Sequence, residues 1–119
     1  MTGETISKDN AEHYLWGGQC DGWHLVKSPE LSIIQELVPA GGAEVRHYHQ
    51  QAQQFFYVLS GIASLEVDGV MSQLVPGQGL HVPAGSAHRL ANEGPEALEF
   101  IVVSVPMAQG DRVLVAEQA

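Results

Sequence analysis

Residues 41–61 read GGAEVRHYHQQAQQFFYVLSG, and the order of residues within them decides the fold. His47 and His49 stand two apart in a run of strand character, Ala43 to His49. Side chains two apart on a strand point to the same face, so both imidazoles can aim at one ion; on a helix the same spacing would aim them apart. The next strand, Phe55–Ser60, alternates too. Gln54, Phe56 and Val58 fall on one face, Phe55 and Tyr57 on the other. A His-x-His pair taken alone is most often a surface pair or one satisfied structurally, so its surroundings carry the argument.

Working outward, the chain reads as short strands separated by turns. Upstream, Leu31–Val38 is an apolar-rich run closed by Pro39 and by Gly41-Gly42. Downstream, Ile62–Val67 sets Ala63, Leu65 and Val67 against Ser64 and Glu66, the period of a half-buried strand. Asp68-Gly69 is a two-residue hairpin signal, and Val70–Val75 returns from it. Pro76-Gly77 and Pro83-Ala84-Gly85 turn the chain again, and His88–Asn92 and Ala97–Val105 complete the set. Strands at this spacing, with no amphipathic helix between them, predict an all-β sandwich or barrel with little or no helix. One domain over residues 1–119 is expected, its barrel core at about 28–106. Trp16 and Trp23, among Gly17, Gly18 and Gly22, mark residues 13–27 as an aromatic edge strand or arm packed on that core. Residues 107–119 read as a weakly patterned tail with a mobile end.

Composition narrows the function. Of 119 residues, 45% are hydrophobic and 16% charged, which is globular and not disordered. The formal net charge of −9 repels phosphate backbones, so no nucleic-acid partner is expected. No run of Lys or Arg offers a grip on an anionic membrane. Met1 to Asn10 is polar and lacks the apolar core of a signal peptide, and Phe100–Val105 is far too short to span a bilayer. The single cysteine, Cys20, excludes an internal disulfide. A soluble cytoplasmic protein is the simplest expectation.

A second block, residues 77–92, reads GQGLHVPAGSAHRLAN. In the first block Gly41, His47, His49, position 54 and Gly61 are the marked positions; in the second they are Gly77, Pro83, Gly85, His88 and Asn92. Together these blocks resemble the two motifs of the cupin superfamily, in order and in spacing. The second block matches at every position and the first at every position but one. The resemblance covers residues 41–92 and implies a double-stranded β-helix, or jelly roll, holding one divalent transition metal ion deep in the barrel mouth. Carried over position by position, the ligands are His47, His49, residue 54 and His88. Imidazole-rich sites suit Fe, Mn, Co, Ni, Cu and Zn.

The departure is at position 54, where the pattern has Glu and this chain has Gln54. A neutral amide leaves the ion its full charge, which lowers metal affinity and favours anionic ligands. Either Gln54 ligates through its carbonyl oxygen, or it stands outside and holds a bound water. Gln cannot accept a proton at neutral pH. A general base must therefore come from elsewhere, from metal-bound hydroxide or from the substrate.

Phe56, Val58 and His81 are expected to wall the pocket, although a polar contact on a strand is the plainer role for His81. His13 and His24 read as structural or surface residues, Cys20 as a small buried hydrophobe, and Arg46 and Arg89 as pointing away from their histidine neighbours. Asn92 reads as a hydrogen-bonding residue at a strand end. The resemblance implies a metal-dependent enzyme, dioxygenase-like or an isomerase or cyclase, acting on a small oxygenated molecule. The alternatives are a non-catalytic module sensing a ligand or metal, and a structural domain with an idle ion. Small proteins of this kind pair as homodimers, with the aromatic arm as the expected contact.

Overall fold

The computed structural model describes residues 4–108 and 110–115. Its eleven strands are β1 (Glu12–Trp16), β2 (Cys20–Lys27), β3 (Ser32–Val38), β4 (His47–His49), β5 (Gln53–Ser60), β6 (Ala63–Val67), β7 (Val70–Leu74), β8 (Gly79–Val82), β9 (His88–Ala91), β10 (Leu98–Val105) and β11 (Arg112–Leu114). They form two antiparallel sheets. One has the order β1-β2-β3-β10-β5-β8 and the other β11-β4-β9-β6-β7. The arrangement is an all-β jelly roll, and no helix among the described residues is long and apolar enough to cross a membrane.

Period-two patterning places the core. On β10 the residues Leu98, Phe100, Val102 and Ser104 are buried and alternate with partly exposed ones. On β5 Gln54, Phe56 and Val58 are buried while Phe55 and Tyr57 are exposed and stack on the outer face. Cross-strand register turns these alternations into rows across the inner face of the larger sheet. One row runs Ser32, Ser104, Gln54, Val82; another runs Tyr14, Gly22, Glu36, Phe100, Val58. The β6–β7 hairpin turns on Asp68-Gly69, both at positive φ (50° and 88°), the pairing that a two-residue turn between twisted strands requires.

Three stretches bear on the sequence expectation. Residues 13–27 take the edge-strand alternative: β1 and β2 form a hairpin that extends the larger sheet through β3, with β1 at its edge, and Trp16 packs against the core cluster. Between Ala43 and Arg46 only an isolated bridge from Ala43 to Ala91 forms, so the strand carrying the His pair is confined to His47–His49. The run after residue 107 supplies β11, which pairs Arg112 with His49 and Leu114 with His47. The expected mobile end, residues 116–119, lies outside the described residues. β8, a short strand enclosed by two proline turns, carries His81.

Candidate metal centre

His47 and His49 leave the short strand β4 on the same face, and β9 brings His88 directly opposite His47. The three side chains are 4%, 6% and 1% exposed. The ligand nitrogens that they offer all lie within 4.8 Å of one another. The ring centroids of His47 and His88 are 4.4 Å apart and those of His47 and His49 are 4.9 Å apart. Asp111 fixes the turn between β4 and β5: its carboxylate accepts the backbone N–H groups of Gln50, Gln51 and Ala52 at 2.8–3.1 Å. Burial alone would raise that carboxyl, but the three backbone donors hold it below its usual range.

The hydrogen bonds prepare two of the rings. His47 Nδ1 donates to Val45 O at 2.7 Å and His88 Nδ1 donates to Ser86 O at 3.0 Å. That fixes the tautomer with Nε2 bare, the form in which an imidazole binds a metal. Burial pushes His47 down to about 3 and His49 down to about 4, and it lowers His88 as well. All three are therefore neutral near pH 7. His88 Nε2 and His49 Nδ1 are buried with no hydrogen-bond partner. Burying a polar atom unpaired is costly, and a divalent ion would satisfy such atoms.

Gln54 fits the same reading. It is 8% exposed, and its Nε2 donates to Ser104 Oγ at 3.0 Å. The carbonyl oxygen Oε1 is left buried and unpartnered. An acceptor-only atom in that state suits either an ion or a water on one. The donor set of three neutral imidazoles and an amide oxygen thus fits a divalent transition metal.

His47, His49, Gln54 and Phe56 face a cavity of about 490 Å³ between the sheets, a size that takes a small organic ligand. The other two expected wall residues lie elsewhere. Val58 is 1% exposed in the core cluster, deeper along β5 and off the cavity lining. His81 faces outward, because β8 pairs it with the outward residue Phe55, and it binds Gln53 Oε1 at 2.9 Å. Arg46 also points away from the site, its Nε 2.9 Å from Glu66 Oε1. Asn92 is buried, donating to Val38 O and Glu96 O and accepting from Gly94 N–H.

The sequence reading missed other polar residues of the cavity wall, among them Tyr14, His24, Glu36, Glu44 and Arg112. Burial pushes Glu36 up to about 7, against the opposing hydrogen bond from Tyr14 and the charge of Arg112. Burial and the nearby charge of Glu36 push Glu44 up to about 8. A signal for Glu36 was present, since it shares strand parity with Ser32, Ile34 and Val38 and so falls on the buried face of β3.

Comparison with known proteins agrees with this geometry. Residues 34–104 match the Cupin domain family. Quercetin 2,3-dioxygenase of Bacillus subtilis is 44% identical over 59 residues, which is 50% of this chain and 18% of that protein. Polyketide synthase CurC of Streptomyces cyaneus is 34% identical over 62 residues, 52% of this chain and 40% of that one. The chain spans less than two thirds of the curated relatives that it matches first. Among solved structures, the polyketide cyclase RemF of Streptomyces resistomycificus superposes with a TM-score of 0.83 at 16% identity, over 98% of this chain and 88% of that chain. With its two motifs, its jelly roll and its converging histidines, the chain belongs to the cupin family.

Proposed function

We propose that the protein is a metal-dependent enzyme that acts on a small oxygenated organic molecule. The observation that carries this reading is the meeting of His47, His49 and His88, with buried unpartnered nitrogens on His49 and His88, beside a ligand-sized cavity that His47 and His49 line. His47, His49 and His88 would hold the ion, with Gln54 Oε1 as a fourth ligand or as the acceptor for a water upon it. When bound, a divalent transition ion supplies Lewis-acid polarisation of substrate oxygens, and a redox-active one supplies oxygen chemistry as well. Phe56, Ile34 and Val102 give the cavity an apolar wall that excludes water from the substrate. Dioxygenation, isomerisation and cyclisation are the candidate reactions. The named relatives, a quercetin dioxygenase and a polyketide cyclase, support that range.

The departure at Gln54 leaves the ligand set without a proton acceptor. Glu36 and Glu44 bring carboxyls to the same cavity, so base chemistry has a source outside the ligand set. The reading also takes the domain as a homodimer, supported by the exposed apolar row Phe55, Tyr57 and Leu59 on the outer face of β5. Light scattering that shows a monomer at every concentration would remove that part.

The test loads the protein with Fe, Mn, Co, Ni, Cu and Zn in turn. Oxygen uptake and absorbance are then followed with diketones, flavonols and hydroxyketones. Turnover of one class by one metal form, lost in His88→Ala, is the expected result. Stoichiometric metal with no turnover in any combination would favour the sensing module over the enzyme.

A further inference from the structure

At the end of the cavity away from the imidazoles, one cross-strand row spans three strands. Tyr14 of β1 stands opposite Gly22 of β2, and Gly22 stands opposite Glu36 of β3. Tyr14 packs over Gly22, where an added Cβ would meet Tyr14 Cζ at 2.2 Å. Gly22 is not one of the positive-φ glycines, so it is the space that this position requires and not the backbone conformation. Across that gap Tyr14 Oη donates to Glu36 Oε2 at 2.9 Å. A carboxylate has about four acceptor positions, and the tyrosine takes one of them. Glu44 faces the pair from the other side of the cavity, its Oε1 held by Leu90 N–H at 2.9 Å. Tyr14, Glu36, Glu44 and Arg112 line the same cavity as His47 and His49.

We propose that Glu36, oriented by Tyr14, binds a hydroxyl group of the ligand at the end of the cavity opposite the three histidines. The inference rests on the metal-centre reading above, because it needs the other end of the ligand to be held there. The chemistry of the wall selects the group. A buried carboxyl can bond a hydroxyl in either protonation state, and the guanidinium of Arg112 already sets positive charge near both acids, which favours a neutral hydroxyl over an ammonium. The fold sets the length. On β10 the row that holds Glu36 (Phe100) and the row that holds Gln54 (Ser104) stand four residues apart, about 13 Å of strand that the side chains at either end shorten. The ligand is therefore about one ring long, with chelating oxygens on one side and a hydroxyl on the other. Tyr14 is a positioning residue, since it touches the carboxylate and not the chelating end.

A matched pair of probes tests this on the zinc-loaded protein, zinc being inert to oxidation and reduction. Kojic acid and allomaltol share the same hydroxyketone chelating edge, and they differ by one hydroxyl on the far side of the ring. Calorimetric titration at pH 8, where Glu36 is mostly ionised, should give kojic acid about tenfold tighter binding or more, as a hydrogen bond to a charged acceptor provides. In Glu36→Ala the preference should fall to about one while allomaltol binds as before. In Tyr14→Phe the preference should shrink several-fold, again at unchanged allomaltol affinity. A purely structural role for Tyr14 would move both probes together. Equal binding of the two probes by the wild type, or a preference undiminished in Glu36→Ala, overturns the inference and leaves the metal centre standing. Failure of both probes to bind the zinc-loaded wild type overturns the chelation reading, and this inference falls with it.

Discussion

Replacing Gly22 by Ala isolates the packing of Tyr14 on β2. The new Cβ would lie 2.2 Å from Tyr14 Cζ and 2.5 Å from both Cε1 and Oη. Those gaps are more than an ångström short of ordinary carbon contact, so the ring must swing out. The swing breaks the 2.9 Å bond to Glu36 Oε2. A hydrogen bond to a charged group is worth about 1.5–3 kcal/mol, and the ring also loses part of its burial. Against this, Ala in place of Gly restricts the unfolded chain and returns about 0.4–1 kcal/mol. The net expectation is a loss of about 1–3 kcal/mol, measured as a drop in urea midpoint at unchanged slope. The decisive comparison is made in a Tyr14→Ala background. With no ring to displace, the same substitution should become neutral or slightly stabilising, a coupling of about 1–4 kcal/mol. An equal cost in both backgrounds would refute the reasoning and place the strain in the β2 backbone.

Stability of the metal-free protein should vary with pH in two windows. The folded-state values of Glu36 and Glu44, about 7 and about 8, lie above the ordinary 4.5, so their contribution is present at low pH and is lost as pH rises to about 8. The histidines are lowered, so theirs is lost as pH falls below 6.5, and above that value it is constant. Between about pH 6.5 and 8 the acids alone act, and thermal or urea unfolding should show a loss on the order of 1–2 kcal/mol that Glu36→Gln with Glu44→Gln flattens. A flat profile in the wild type would remove the acids from the cavity interior. Asn92→Ala removes donors to Val38 O and Glu96 O and the acceptor for Gly94 N–H at a site 1% exposed, and it should cost about 2–4 kcal/mol in urea unfolding. Gln54→Glu should tighten metal binding by about tenfold or more in a competitive chelator titration, and it should destabilise the metal-free protein by burying a carboxylate. No change in either would place Gln54 away from the ion.

Much of this was legible because two kinds of signal agreed. The period-two runs at Phe55–Ser60 and Ala97–Val105 named the buried faces of β5 and β10, and the glycine and proline turns separated most of the strands. The histidine pair read correctly as sharing a face, and the second block supplied His88. What escaped was set by pairing across strands, which a linear sequence does not display. The pocket role offered for His81 gives way to its plainer reading, a polar contact on a strand, because β8 pairs it with Phe55 and not with Phe56. Val58 has the right parity but lies too deep along β5 to meet the cavity. Tyr14 and Glu36 are 22 residues apart in sequence and meet only because a glycine stands between them in register. Residues 107–119 read as only weakly patterned, since a three-residue strand such as β11 carries too few positions to show a period.

The most direct test of the central claim is elemental analysis of protein purified without chelator or nickel resin, beside the His47→Ala/His88→Ala double variant. If the three imidazoles form a metal centre, the wild type carries about one transition metal ion per chain, and the double variant, folded by circular dichroism, carries none. Equal metal content in both proteins, or none in either after reconstitution, would contradict it.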